Sequence, residues 1–505
     1  MKLNHIYKSI ACGVLLAMTA TSCDLDYNPV DTYSDVTEGV NKTDEKPIFN
    51  SVQDVETSMV TLHKKFRDRQ EHWYVDKLLI GDAHSDNAYA GTTGAEVVPY
   101  ETNSIEGSNS VLKRDWDRFL GDIAVANRII VGCDQLKALS ESERGKYQSQ
   151  AKIFRAMVMF DMVRLWGNFP VITTVGGDIT EDNVEEMYPT YFPPQNTAYA
   201  QIEKDLTEAV ENPNTPTNDT SDKSILTKSV ARAMLAKVYA EKPLRDYAKV
   251  IKYADELAAD GFDLVEDFSD LWAYDTEKKD CRVRNTKEAI LEAHFPPGSG
   301  NWCTWMFGRN LSNWDESFTW AKWITPSRDL IRLYEEQGDT KRYNESVVWY
   351  DCGWSNYYPA DHYAFMYKCR SAFNSIIYLR YADILLLKAE AKIMGEAPDL
   401  NGAADIIDRI RNRAGLGKLP QSTRSSKEAL LQAYMDERRM ELAFEGQRWY
   451  DLCRLNKVEE VMNAVYAKDS GRHAQENLFN ENSYLLAIPQ GAIDQNENLI
   501  QNPGY

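Results

Sequence analysis

The sequence lacks the short motifs that mark the common enzyme classes. It has no G-x-S-x-G nucleophile elbow, no H-E-x-x-H zinc motif, no Walker phosphate loop and no dinucleotide-binding glycine pattern. Only seven histidines occur, no two of them at metal-ligand spacing, and the eight cysteines include no C-x-x-C pair. We therefore expect no catalytic residue, no metal site and no cofactor.

Carboxylates are the one catalytic resource that is abundant. The chain has 77 acidic residues, and a pair of them is enough for glycoside hydrolysis. Most stand opposite basic residues in helical patterns, which is typical of ion-paired or solvated helix faces. A surface glycoside hydrolase therefore stays open as an alternative, ranked below a binding protein.

Long hydrophobic runs are missing, apart from one near the N-terminus. Two lysines precede an apolar run over residues 10–20, which is too short to span a bilayer and is typical of a signal peptide. Small residues then precede Cys23, as at a lipoprotein processing site, although alanine stands where leucine is usual. We expect residues 1–22 to be a signal peptide and residues 23–50 a tether lipidated at Cys23.

Positive charge is scarce. The formal net charge is −20, and removal of the leader with its two lysines leaves 55 basic against 77 acidic residues. Repulsion at long range opposes encounter with nucleic acids and anionic surfaces. We therefore expect no nucleic-acid partner.

Six cysteines remain beyond the leader and the lipidation site. In an oxidising compartment the four between residues 281 and 369 could form disulfides in loops, but their spacing does not give the connectivity. Free, buried cysteines are the equal alternative. The six are Cys133, Cys281, Cys303, Cys352, Cys369 and Cys453.

Apolar residues at helical spacing recur in paired segments. Residues 230–261 and 379–415 each predict two helices joined by a turn, in units of 32 and 37 residues. That length is typical of tetratricopeptide-like hairpins, and alanines in both units permit close helix approach. Two further pairs are predicted: residues 52–80 with 111–133, and residues 142–166 with 197–210.

Helical regularity lapses between residues 262 and 375. Strand-like runs such as residues 289–295 alternate there with glycine, proline, asparagine and serine. Residues 301–370 contain 17 aromatic residues in 70 positions, against 11% in the whole chain. So many aromatic residues cannot all lie on one buried helix face, so some must reach a surface or groove.

A carbohydrate site needs flat aromatic platforms beside hydrogen-bonding groups, because sugar rings present C–H patches and hydroxyls. Residues 81–91 and 297–320 supply this mixture, and residues 349–358 are the second choice. Packing within the loop is the alternative for any single tryptophan. The candidate ligand-binding residues are Asp86, Asn87, Tyr89, Trp302, Trp305, Arg309, Trp314 and Trp320.

Residues 437–454, ERRMELAFEGQRWYDLCR, predict an ion-paired structural helix, with apolar, acidic and basic residues at helical spacing. Four other stretches are equally distinctive: YLRYADILLLKAEA (378–391), IIDRIRNRAGL (406–416), AKIFRAMVMFDMVRLWGNFPVI (151–172) and LLAIPQGAIDQNENLIQNPGY (485–505). On these stretches the chain closely resembles, over its whole length, the SusD/RagB family of outer-membrane nutrient-binding lipoproteins.

The resemblance implies a mainly α fold, a tetratricopeptide-like array of about four hairpins. The array would occupy residues 51–261 and 376–505, the latter with a C-terminal cap, and an aromatic-rich, partly β insert would occupy residues 262–375. The resemblance also implies a surface-exposed lipoprotein of the outer membrane that binds oligosaccharides or polysaccharides and delivers them to a SusC-type TonB-dependent transporter. A peptide-binding RagB-type subunit and a pure scaffold for the transporter are alternatives.

Overall fold

The structure is a computed structural model, and it describes residues 47–505 except for several gaps. The gaps are residues 92–93, 168, 176–195, 276, 278–279, 296–299, 308–321 and 497. The predicted signal peptide, Cys23 and the tether as far as residue 46 therefore lie outside the described residues. Within the described ranges, no helix combines the length and apolar character that crossing a membrane requires.

Helices make up most of the regular structure. Two π-helical turns, Glu71–Val75 and Leu79–Ala83, flank a short helix at Asp76–Leu78. The other α-helices are α1 (Val52–Asp68), α2 (Val98–Thr102), α3 (Ser110–Gln135), α4 (Glu141–Trp166), α5 (Asn196–Glu211), α6 (Lys228–Ala240), α7 (Tyr247–Ala259), α8 (Trp302–Met306), α9 (Arg328–Gln337), α10 (Thr340–Ser346), α11 (Tyr381–Met394), α12 (Leu400–Arg413), α13 (Gln421–Arg424), α14 (Lys427–Glu441), α15 (Arg448–Arg454), α16 (Val458–Lys468) and α17 (Gln490–Gln495).

The helices pack in the pairs that the sequence predicts. α6 packs on α7 and α11 on α12, in the two segments with the clearest periodicity, while α1 packs on α3 and α4 on α5. Ala231, Ala233 and Ala236 of α6 are fully buried, so this helix approaches its neighbours closely. Ser140 and Glu143 form the capping box that begins α4. The prediction of a mainly α fold is confirmed.

The strands are short and pair two by two, all antiparallel. β1 pairs with β5, β2 with β3, β4 with β8, and β6 with β7. The predicted strand at residues 289–295 is β4, which is buried throughout. The strands are β1 (Ala88–Tyr89), β2 (Tyr274–Asp275), β3 (Asp280–Cys281), β4 (Ala289–Ala293), β5 (Thr325–Pro326), β6 (Val347–Tyr350), β7 (Tyr363–Met366) and β8 (Ile376–Arg380).

The single helix predicted over residues 437–454 is wrong. α14 ends at Glu441 and α15 begins at Arg448. Between them Phe444 and Gly446 have positive φ angles of 60° and 69°, which no α-helix accommodates. The carboxylate of Asp82 accepts hydrogen bonds from both of their amides, at 3.0 and 2.9 Å, and so stabilises the break.

Charged residues of α14 pair mainly with other elements and not within their own helix. Arg342 of α10 contacts Glu437 at 2.7 Å and Glu441 at 3.0 Å, and Arg380 of β8 contacts Glu441 at 2.6 Å. All four side chains are buried. The two pairs of Arg342 tie the insert to the C-terminal helices. The same network also includes Glu288, Asp339, Arg413 and Glu445.

One large cluster of buried apolar side chains runs from Phe49 to Leu499 and includes residues of the insert, such as Phe295 and Tyr363. A small second cluster lies around Phe268 and Trp272. Residues 48–505 form one compact unit. The predicted boundaries at residues 262 and 376 stay predictions, since the large cluster extends across both of them.

Candidate ligand-binding site

Residues 81–91, the first predicted ligand loop, lie inside the protein. Asp86 is 1% exposed, and its carboxylate accepts hydrogen bonds from Arg448 at 2.8 and 2.9 Å. Arg439 forms a further ion pair with it at 3.2 Å. Burial by itself would raise the pKa of Asp86, but Arg439 and Arg448 outweigh it and hold that pKa well below its ordinary value. Asp86 is a buried anion held by two arginines of the C-terminal region.

Asn87 and Tyr89 are buried with protein partners as well. Asn87 Oδ1 accepts a hydrogen bond from Arg439 at 2.9 Å, and its Nδ2 donates to Asp82 at 2.8 Å. The ring of Tyr89 stacks on Tyr357 with centroids 4.5 Å apart, and burial raises the pKa of Tyr89 to about 12. These contacts give all three predicted residues of the loop a structural role. Their assignment to ligand binding stays a prediction.

The second predicted segment contributes α8 and an exposed tryptophan. Trp302 is 40% exposed, more than any other tryptophan whose side chain is described. Asn301 caps α8 by accepting a hydrogen bond from the Thr304 amide at 3.1 Å, and its Nδ2 donates to the Ser371 carbonyl at 3.0 Å. The amide of Trp302 donates to Gln70 at 2.7 Å. The backbone of Trp302 is thus held firmly while its side chain reaches solvent.

Four predicted residues of this segment add nothing to the described geometry. Trp305 belongs to α8, but its side chain lies outside the described residues. Arg309, Trp314 and Trp320 lie wholly outside the described residues. They stay predictions from the sequence.

The two predicted segments come together through the chain that follows residue 321. A Cβ at Gly91 would stand 2.2 Å from the carbonyl oxygen of Lys322, so only glycine permits this approach. β1 pairs with β5 directly beyond that contact. The amide of Trp323 donates to the carbonyl of Met306, at the end of α8, at 3.0 Å. The end of loop 81–91, α8 and residues 322–326 are therefore neighbours.

The β6–β7 hairpin adds further rings to this neighbourhood. Trp349 stacks on His362 with centroids 4.3 Å apart and planes 4° from parallel. Asn356, in the connecting loop, donates to the Gly91 carbonyl at 2.6 Å and accepts from the Tyr363 hydroxyl at 2.7 Å. The loop that joins the two strands is thus attached directly to the end of loop 81–91.

We call five partly or fully exposed rings, together with the exposed amide Asn356, the aromatic surface. The rings are those of Trp302, Trp323, Trp349, Trp354 and His362. Sequence reasoning chose Trp302 and held residues 349–358 as a second choice, but it missed Trp323 and His362. The position of His362 depends on the register of β6 with β7, for which the sequence carried no signal.

The chemistry of the aromatic surface suits a neutral ligand with apolar faces and hydroxyl groups. Flat rings offer platforms for C–H groups, and the amide can donate and accept hydrogen bonds. Over the described part of the chain, no group of three or more His, Cys, Asp or Glu side chains could hold a metal ion.

Comparison with known proteins shows which proteins the chain is similar to. A family model described as the SusD family matches residues 370–505. SusD-like protein P2 of Formosa agariphila is 24% identical, over 97% of this chain and 98% of that protein. Residues 370–505 thus match the SusD family, and nearly the whole chain is similar to a SusD-like protein. A SusD-like protein of Bacteroides ovatus is 25% identical, over 88% of this chain and 81% of that protein.

Solved structures share the SusD-family fold. A SusD homolog from Bacteroides thetaiotaomicron superimposes with a TM-score of 0.72 at 20% identity, over 93% of this chain and 100% of that one. A laminarin-binding SusD-like protein and surface glycan-binding protein A from Bacteroides fluxus each give a TM-score of 0.70 at 21% identity, over 90% of this chain and all of theirs. At these identities the likeness establishes the fold alone.

Proposed function

We propose that this protein binds oligosaccharides or polysaccharides on the aromatic surface and releases them uncleaved. The exposed Trp302 carries the proposal, because its backbone is held by Gln70 while its ring offers solvent a flat apolar platform on which a sugar can stack. The names of two relatives with this fold, a laminarin-binding protein and a surface glycan-binding protein, support a glycan as that ligand.

The stacked pair of Trp349 and His362 supports the same proposal. Each ring restricts the motion of the other. Stacking of a sugar on this pair therefore costs the two side chains little conformational entropy. Asn356 has two hydrogen bonds within the protein, and its remaining donor and acceptor capacity can serve hydroxyl groups. Arg309, Trp314 and Trp320 belong to the proposal on sequence grounds.

We further propose that lipid at Cys23 holds the protein on the outer membrane, where it passes glycan to a SusC-type TonB-dependent transporter. The leader sequence and the similarity to the SusD family support this. A tether at the transporter mouth raises local concentration, so binding in isolation need only be about micromolar to millimolar. Weak binding also lets the cargo leave.

The ligand is found with a polysaccharide panel on affinity gels, and the site is tested by calorimetry with the polysaccharide identified. Trp302→Ala should weaken binding about five- to thirtyfold, the effect of losing one stacking ring worth about 1–2 kcal/mol. Tyr505→Ala is the matched control, because Tyr505 is 44% exposed and lies outside the aromatic surface. Its affinity should equal that of the wild type.

Three outcomes would contradict the proposal. Unchanged affinity in both Trp302→Ala and Trp349→Ala, with unchanged melting temperatures, would place the site elsewhere. Shortened products after incubation with the bound polysaccharide would show a hydrolase. Binding of peptides and of no glycan in the panel would favour a RagB-type cargo, for which strand-like pairing with the protein backbone is expected.

A further inference from the structure

Cys303 in α8 and Cys369, three residues after β7, lie next to each other. Both line one small cavity of about 40 Å³. The two thiols are close enough for Cys369 to raise the pKa of Cys303, and both are reduced in the structure. Beside them, the hydroxyl of Thr304 donates to the carbonyl of Ser371 at 2.6 Å and fixes α8 against this part of the chain. The fold therefore brings together two sulfur atoms that are 66 positions apart in the sequence.

The other two cysteines of the insert have different partners. Cys281 Sγ accepts a hydrogen bond from the Ser375 amide at 3.0 Å. Cys352 donates to the Trp354 carbonyl at 3.1 Å. Of the four cysteines whose connectivity the sequence left open, Cys303 and Cys369 are thus neighbours, while Cys281 and Cys352 contact other groups; the structure joins none of the four by a disulfide.

We propose that Cys303 and Cys369 form a disulfide in the protein of the cell envelope. The oxidant is a thiol oxidase of that compartment in its disulfide form. The Cys369 thiolate attacks one sulfur of the oxidant, whose other sulfur leaves as a thiolate. The Cys303 thiolate then attacks the Cys369 sulfur and releases the second oxidant sulfur. The protein gives up two electrons and two protons, and the oxidant becomes a dithiol.

Accessibility sets the order of these two steps. Cys369 is partly exposed, whereas Cys303 is fully buried. Burial, together with the neighbouring Cys369, raises the pKa of the Cys303 thiol well above its ordinary value. The second attack is therefore fastest while α8 is still docking, and the bond forms during folding.

The bond would join α8, which carries Trp302, to the chain that follows the β6–β7 hairpin. Cys303 directly follows the exposed Trp302, and the loop closed by the disulfide contains the whole β6–β7 hairpin. The cross-link also restricts the unfolded chain, which stabilises the folded state. The pairing does not depend on the identity of the ligand, so it can hold even if the glycan proposal fails.

Peptide mapping of the native full chain tests the pairing. Cells are quenched in acid, thiols are alkylated under denaturing conditions, and the protein is digested with trypsin without reductant. Cleavage after lysine and arginine gives a peptide of residues 288–309 that should carry the mass of the dipeptide Cys369–Arg370 through a disulfide. Reduction should release the dipeptide and lower the melting temperature of the intact protein by a few degrees.

Serine variants test whether the disulfide joins Cys303 to Cys369. Cys303→Ser and Cys369→Ser should each abolish the linked peptide, while the matched control Cys352→Ser should retain it. Separate alkylation of Cys303 and Cys369 in the wild-type map would overturn the proposal, as would a link from either residue to another cysteine. Because the wild-type map is made on denatured protein, it decides the question even if a variant does not fold.

Discussion

At the scale of single residues, a polar side chain in a loop can serve the fold instead of a ligand. Asp86 has the residue type and the loop position expected of a sugar contact, yet it is enclosed by Arg439 and Arg448. Two arginines with fixed hydrogen-bonding geometry are a strong reason to keep a carboxylate buried. Trp302 is the opposite case, since its side chain remains partly exposed to solvent.

Replacing Asp86 with asparagine should destabilise the fold. The change leaves two buried guanidinium groups without their shared anion, which should lower the free energy of unfolding by about 3 kcal/mol. Asp361→Asn is the matched control, because Asp361 is exposed and forms no ion pair with any residue that the structure describes. Chemical denaturation measures both. Equal stability of the two variants would show that Asp86 is not a structural anion.

Acid should destabilise the protein through a few buried carboxylates. Burial alone would raise the pKa values of Asp383 and Glu441, but nearby cations, Lys237 and Arg438 for the first and Arg413 for the second, hold both pKa values below ordinary. Each carboxylate therefore stabilises the fold above its unfolded pKa of about 4, and this contribution is lost as the pH falls further.

Asp82 acts in the opposite direction, as do Asp115, Glu437 and other buried carboxylates whose pKa values are raised by burial. Burial raises the pKa of Asp82 to about 6, so its contribution is greatest below about pH 4 and is lost as the pH rises through about 6. Denaturation at pH 7, 5, 4 and 3 should show the loss of the Asp383 and Glu441 contributions as a fall in stability below pH 5. Asp383→Asn should flatten that fall, and an unchanged slope in this variant would contradict the assignment.

At the scale of elements, the break between α14 and α15 decides where the C-terminal helices point. Its two positive φ angles allow the chain to turn between the helices, and Asp82 holds the turn from a distant part of the sequence. Gly446 is required for a second reason. A Cβ there would lie 3.0 Å from the carbonyl oxygen of Lys77.

Alanine variants at two glycines distinguish the energetic cost of a left-handed backbone from the cost of the close contact with Lys77. Gly446 and Gly338 have φ angles of 69° and 68°, but a Cβ at Gly338 would meet nothing within 4 Å. Both alanine variants should lose about 1 kcal/mol for the left-handed backbone. Gly446→Ala should lose about 1–2 kcal/mol more, because the packed backbone at Lys77 must shift. Chemical denaturation compares them, and equal losses would rule out the steric contribution.

At the scale of the whole molecule, the aromatic insert is part of the main body. Its apolar residues join the core cluster, and its Arg342 pairs with Glu437 and Glu441 of α14. An insert held in this way should move little relative to the helices. We therefore expect the insert and the helices to move as one body.

The tether prediction is tested by removing the lipidated residue. Cys23→Ala should release the protein from the membrane fraction in a strain that lacks the transporter, because acyl chains supply the proposed anchor. Fractionation and immunoblotting measure this. Membrane association that persists in the variant would contradict anchoring at Cys23. Recovery of the wild-type protein without a transporter, in every detergent tested, would contradict the proposed partnership.

The helices could be predicted from the sequence because their determinants are local. The periodic apolar residues of α6, α7, α11 and α12 and the capping box at Ser140 act within a few positions of one another. The stretches that resemble the SusD family were equally visible. The apolar run of β4 predicted a strand, but the sequence did not predict its pairing with β8.

The sequence by itself therefore determined the helical class, the family resemblance and the concentration of aromatic residues in one segment. Only the tertiary structure decided which of these residues face solvent. It buried Asp86 beneath Arg439 and Arg448, more than 350 positions away, stacked Trp349 on His362, and brought Cys303 to Cys369. Such contacts join residues that are far apart in the chain, and their geometry is set by the packing of whole elements, which no local pattern records.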